Sequence, residues 1–152
     1  MEYRPPTMRS LLVTGGAGFI GANFVRYWLD EHPDDRLVVL DALTYAGNEA
    51  SLQGLDGRRG YSFVHGYIGD EGLVADLLVR QRVDTIVHFA AESHVDRSIS
   101  GPDEFVRTNV VGTHALLKCA RRAWQAGVSG PFSLPSCDCS RRRCTLGWNC
   151  RD

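Results

Sequence analysis

Ser10-Leu11-Leu12-Val13-Thr14-Gly15-Gly16-Ala17-Gly18-Phe19-Ile20-Gly21 is the stretch on which the reading of this chain turns. Leu11-Leu12-Val13 is a short apolar run, as expected of a strand buried on both faces, and it opens directly into glycines at 15, 18 and 21. A helical pattern follows. Glycines at this G-x-x-G-x-x-G spacing let a backbone approach an anionic ligand closely, and a helix beginning near Gly18 offers free N–H groups and the positive end of its dipole. A purely structural glycine-rich turn is the competing reading of the trio taken alone.

Outward from the loop, Ile20, Phe24 and Trp28 recur every four residues between Phe19 and about His32, which predicts a helix packing that stripe on a sheet. Pro33-Asp34-Asp35 ends it. Leu37–Leu40, Tyr61–Val64 and Thr85–Phe89 read as three further strands. Leu73, Val74, Leu77 and Leu78 mark a helix after Asp70, and Pro102 suits the first position of a long helix reaching about Ala126. Strands alternating with helices imply an α/β, Rossmann-type doubly wound parallel sheet, here truncated after about four strands. The expected organisation is a loose arm over 1–9, a dinucleotide-binding domain over 10–126 and an irregular tail over 127–152.

Asp41 closes the second strand twenty positions after Gly21. A carboxylate there can accept hydrogen bonds from adenosine ribose hydroxyls and repel a 2'-phosphate, which favours NAD over NADP. A strand-end turn residue is the other reading of Asp41.

The bulk composition excludes several classes. With 43% hydrophobic and 23% charged residues and a formal net charge of -1, nothing points to a nucleic-acid or membrane partner. No apolar run approaches the roughly 20 residues that span a bilayer, and the N-terminus lacks a signal peptide's apolar stretch, so a cytoplasmic location is expected. His88 and His94 beside an apolar strand read as hydrogen-bonded structural residues, and Asp96 and Arg97 suit a salt-bridge network as well as recognition.

Four segments go beyond a generic nucleotide fold: Asp41-Ala42-Leu43-Thr44-Tyr45-Ala46-Gly47-Asn48, Phe89-Ala90-Ala91-Glu92-Ser93-His94-Val95-Asp96-Arg97-Ser98, Gly101-Pro102, and Thr108-Asn109-Val110-Val111-Gly112-Thr113. Together they resemble the dTDP-glucose 4,6-dehydratases, extended short-chain dehydrogenase/reductase proteins, over roughly residues 9 to 126. The resemblance implies an NAD-dependent lyase of deoxysugar biosynthesis acting on dTDP-glucose, and a homodimer that is not extended to this fragment. It also implies that Gly15, Gly18, Phe19, Ile20 and Gly21 lie at the pyrophosphate, Asp41, Ala42, Leu43 and Thr44 around the ribose, and Phe89, Ala90, Ala91, Glu92 and Ser93 along the nicotinamide half. Thr108 would also touch the cofactor, Ser93 would sit at the edge of the sugar-nucleotide site, and Glu92–Arg97 would wall the cleft. Gly66-Tyr67-Ile68 departs from the family's Gly-Asp-Ile, which removes the carboxylate that accepts from the adenine amino group and predicts weakened cofactor affinity. Ile68 would still pack on the ring.

In that family NAD takes a hydride from sugar C4, water leaves across C5 and C6, and the hydride returns to C6. The resemblance assigns these steps to a Tyr-x-x-x-Lys pair and an Asp-Glu pair. None of the five tyrosines here has a lysine four residues on, and Lys118 is the only lysine, so no catalytic residue is assigned and the chain alone is expected to be inactive. A related epimerase or decarboxylase fragment and a non-catalytic NAD-binding module are the rival readings.

From about Gly127 the text changes to two prolines, four cysteines and Arg141-Arg142-Arg143, where a fifth apolar strand is due. The cysteines lack paired C-x-x-C spacing, so no metal site is expected. A reading-frame shift accounts for the tail better: Arg143-Cys144-Thr145 can be written AGG-TGT-ACN, which regroups to Glu-Val-Tyr after a G. An unpaired sheet edge after the fourth strand then predicts poor solubility.

Overall fold

In the computed structural model, residues 8–93 and 101–125 are described; the expectations for the first seven residues, for His94, Asp96 and Arg97, and for the tail beyond 125 lie outside them. The elements run β1 (Ser10–Thr14), α1 (Phe19–Glu31), β2 (Arg36–Asp41), a single 3-10 turn (Glu49–Leu52), β3 (Tyr61–His65), α2 (Glu71–Arg80) and β4 (Thr85–His88). A long helix closes the described chain in three parts: α3 (Pro102–Phe105), a π-helical stretch (Val106–Gly112) and α4 (Thr113–Gln125). All strands are parallel in the order β3-β2-β1-β4. The α/β Rossmann-type reading of the sequence therefore holds.

Register explains how so few residues build two cores. Val13 lies level with Val39 on one side and Val87 on the other, while Leu12 lies level with Val38 and Ile86. Because side chains alternate across a strand, Leu11, Val13, Leu37 and Val39 meet Val25 and Leu29 of α1, whereas Leu12, Val38 and Leu40 meet Val74 and Leu78 of α2 and Leu116 of α4. The inner strands β1 and β2 are buried almost throughout; β3 and β4 are half-exposed.

The stripe expected on α1 is displaced. Its buried face is Gly21, Ala22, Val25 and Leu29, and Ile20 is 67% exposed. The cause is Gly21, where a Cβ would lie 2.2 Å from the Gly15 carbonyl oxygen: the helix comes down on the glycine loop at this residue, which fixes its rotation and turns Ile20 to solvent. Phe24 and Trp28 flank the core instead, with ring centroids 5.5 Å apart and Phe24 5.4 Å from Phe89.

On the opposite face Asp70 caps α2, its Oδ1 accepting from Leu73 N–H (3.0 Å). Glu71 ties α2 to α4 through Lys118, whose ammonium holds that carboxyl below the usual carboxylate range. The helix expected from Pro102 to about Ala126 forms, but not as one regular α-helix. Its π-helical stretch is the main local departure from the sequence reading. Among the described residues no helix is long and apolar enough to cross a membrane, and no cluster of His, Cys, Asp or Glu is placed to hold a metal ion.

Candidate functional site

At the carboxyl ends of the strands lies an open cleft, where the loops after β1, β2, β3 and β4 meet the π-helical stretch. Open α/β sheets bind ligands at this edge, because successive loops diverge there. Gly15 has φ +68 and a Cβ on it would fall 2.5 Å from Ala90 N, so only glycine permits the crossing of the first and fourth loops. Gly18 caps α1 without a side-chain hydrogen bond, and the first intrahelical bond is Ala22 N–H to the Gly18 oxygen (2.9 Å). The N–H groups of Phe19 and Ile20 precede that bond and are helix-terminal donors.

Asp41 is 7% exposed and fixed at both oxygens. Ala17 N–H donates to Oδ2 (2.8 Å) and Leu43 N–H to Oδ1 (2.8 Å), so one carboxylate fastens the glycine loop to the turn after β2. Leu43 takes φ +49 to make that bond, and Gly47 passes so close that a Cβ would lie 2.7 Å from Asp41 Oδ1. An ionised carboxylate has about four acceptor positions, so two backbone donors leave capacity for a ligand's hydroxyls.

Beyond β3, Gly66, Tyr67 and Ile68 form the next wall. Ile68 is 3% exposed and packs on Gly112, where a Cβ would lie 2.8 Å from its Cδ1. Tyr67 reaches the π-helical stretch: its hydroxyl donates to the Arg107 carbonyl oxygen (2.8 Å), and the Arg107 guanidinium stands 5.0 Å from its ring centre.

The loop after β4 carries Phe89, Ala90, Ala91 and Glu92 along the cleft. Asn109 holds it reciprocally: Oδ1 accepts from Glu92 N–H (2.8 Å) and Nδ2 donates to the Glu92 carbonyl (2.8 Å). π-helical turns often mark functional sites, and this one directs Thr108 to the cleft and Asn109 to the loop that walls it. Asn109→Asp keeps the acceptor but sets a carboxylate against the Glu92 carbonyl; we expect it to cost roughly 1–3 kcal/mol in urea unfolding, and a wild-type midpoint would remove the clamp. Behind the loop His88 bridges Thr14 (Nδ1, 2.6 Å) and Thr113 (Nε2, 3.0 Å), and burial pushes its imidazole below the ordinary histidine range.

The profile of the GDP-mannose 4,6 dehydratase family matches residues 12–132. The chain belongs to this family. It is 55% identical over 119 residues to the dTDP-glucose 4,6-dehydratase of Xanthomonas campestris pv. campestris (strain B100), a match covering 78% of this chain and 33% of that protein. The crystal structure of the dTDP-glucose 4,6-dehydratase of Streptomyces venezuelae, which has NAD bound, is 56% identical, with TM-score 0.70 and coverage of 76% of this chain and 36% of that one. A UDP-glucose 4-epimerase from Brucella ovis, also solved with NAD, reaches TM-score 0.66 at 30% identity, covering 76% of this chain and 33% of that one. The chain thus spans about one third of the length of the curated relatives it matches.

For this family member the cleft gathers Gly15, Gly18, Asp41, Ala42, Thr44, Tyr67, Ile68, Phe89, Ala90, Ala91, Glu92 and Thr108. Five residues singled out in the sequence do not line it. Phe19 and Ile20 are 86% and 67% exposed, Gly21 serves helix packing, Leu43 packs on the α1 core, and Ser93 is exposed. Leu40, Ala46, Gly47 and Gly66 line the cleft without having been singled out. Glycines just past the ends of β2 and β3 were the available signal for two of these.

Proposed function

We propose that residues 10–126 form the NAD-binding part of a dTDP-glucose 4,6-dehydratase. The observation that carries this reading is Asp41, a buried carboxylate anchored by two backbone N–H groups at the end of β2, beside a glycine loop that no side chain fills. That arrangement fits NAD: the helix-terminal N–H groups of Phe19 and Ile20 take the pyrophosphate, and Asp41 the ribose diol. Tyr67, Ile68 and Thr108 flank the adenine, and Phe89–Ser93 run along the nicotinamide half, with Ser93 at the edge of the sugar-nucleotide site. When bound, NAD would supply the hydride acceptor and later return the hydride.

This segment's own residues bind and orient; they do not move the sugar's protons. A general base must reach its proton, and the sole lysine, Lys118, is paired with Glu71 on α2 and has His114, not a tyrosine, four positions before it. Taken alone, residues 1–152 are therefore expected to bind NAD and to leave dTDP-glucose unchanged. A homodimer is what the resemblance implies for the whole dehydratase, and it is not extended to this fragment. A cytoplasmic setting belongs to the same reading and suits the free, buried thiol of Cys119. The epimerase alternative is disfavoured by identities of 56% to the dehydratase and 30% to the epimerase.

Calorimetric titration of the chain tests the proposal. Saturable NAD binding is expected, with NADP at least about a hundredfold weaker, because its 2'-phosphate would meet the Asp41 carboxylate. Absence of NAD binding, or equal affinity for NADP, would overturn it.

A further inference from the structure

We infer that the nucleobase end of this cleft does not read the purine 6-position, so that a dinucleotide carrying hypoxanthine binds about as well as one carrying adenine. The inference rests on the NAD seat proposed above. With the pyrophosphate at the glycine loop and the ribose at Asp41, the base must lie further along the same edge, toward the end of β3. The groups waiting there are Gly66, Tyr67 and Ile68 from the loop after β3, Ala42 after β2, and Thr108 from the π-helical stretch.

A 6-amino group only donates, so reading it requires an acceptor, best a carboxylate. Among the described residues no carboxylate stands at this end. Asp41 is held at the ribose position by Ala17 and Leu43, and the nearest following acid, Asp70, is outside the cleft with its Oδ1 committed to the cap of α2. Tyr67 presents an aromatic ring whose hydroxyl hydrogen is already given to the Arg107 carbonyl. Its oxygen remains a neutral acceptor, roughly half as strong as a charged one. Arg107 is a donor held by the Tyr67 ring and by Glu104 (3.3 Å), and a 6-oxo group, being an acceptor, suits it at least as well as an amino group does.

Sites that bond a substrate group reject analogues lacking it; sites that merely pack against it do not. The ring and Ile68 give stacking and apolar contact, which both purines satisfy alike. Tyr67 is thus the residue that sets base tolerance, and Arg107 positions it.

The test is titration of the full chain and of Tyr67→Phe and Tyr67→Asp with NAD and with nicotinamide hypoxanthine dinucleotide. Wild type and Tyr67→Phe should bind the two within about threefold, while Tyr67→Asp should prefer NAD by about tenfold or more. A larger wild-type preference for NAD, or a Tyr67→Asp variant that gains none, overturns the inference and leaves the NAD seat standing. A wild-type preference that vanishes in Tyr67→Phe makes the phenol oxygen the reader and overturns it equally. Should Tyr67→Asp not fold, the wild-type and Tyr67→Phe ratios decide alone. Binding of neither dinucleotide overturns the NAD seat itself, and this inference with it.

Discussion

Gly15→Ala is expected to cost the fold about 3 kcal/mol or more and to abolish NAD binding in whatever chain remains folded. Two separate penalties meet at this residue. The first is conformational, because φ is +68 and an L side chain strains there by roughly 1 kcal/mol. The second is steric. The added Cβ would meet Ala90 N at 2.5 Å, Ala90 Cα at 2.7 Å and the Phe89 carbonyl carbon at 2.7 Å, all backbone atoms of the loop after β4. A side chain at that spot would have to push the loop outward, and that loop is bonded to Thr14 through Phe89 N–H (2.9 Å) and clamped by Asn109. Gly54→Ala supplies the control. Gly54 has φ +85 but nothing within 4 Å of its Cβ position, so it carries the conformational penalty alone. Urea unfolding of both variants should show Gly15→Ala losing roughly 2 kcal/mol more than Gly54→Ala. Equal losses would mean that the two loops are not in the contact described.

How much of this was legible in the sequence depends on the range of the interaction that decides it. Leu11-Leu12-Val13 and Leu37–Leu40 announced buried strands because an apolar run between turn signals is a local property, and Asp41 stood out by its distance from Gly21. The rotation of α1 was not legible. Its periodicity admits two neighbouring stripes, and the choice between them is made at Gly21, where an added Cβ would lie 2.2 Å from the Gly15 oxygen, a contact between elements. Likewise the clamp between Asn109 and Glu92 and the bond from Tyr67 to Arg107 join residues 17 and 40 positions apart. Thr108-Asn109-Val110-Val111-Gly112-Thr113 was visible as a motif, but nothing local says that a π-helical turn will carry Asn109 to the loop after β4. Tyr67 was visible as a departure from the family's pattern; its partner was not.

Asp41→Ala is expected to remove both binding and about 3 kcal/mol of stability, since it withdraws the acceptor of two backbone N–H groups at once. Ala17 is 1% exposed, so its N–H has no water to turn to, and Leu43 has left the ordinary φ range to reach the same carboxylate. Asp41→Asn separates the two roles of the residue. An amide presents one oxygen and one NH₂, so either Ala17 or Leu43 must face a donor, and most of the stability loss should persist. The negative charge, however, is gone, and with it the repulsion of a 2'-phosphate. In the fraction that folds, preference for NAD over NADP should fall from about a hundredfold to within about tenfold. An Asp41→Asn chain as stable as wild type would show that the loop does not need the carboxylate; an unchanged NAD preference would show that the carboxylate does not face the ribose. A buried acid that both closes the glycine loop and chooses the dinucleotide should fail on both measurements together, which a simple strand-end turn residue would not.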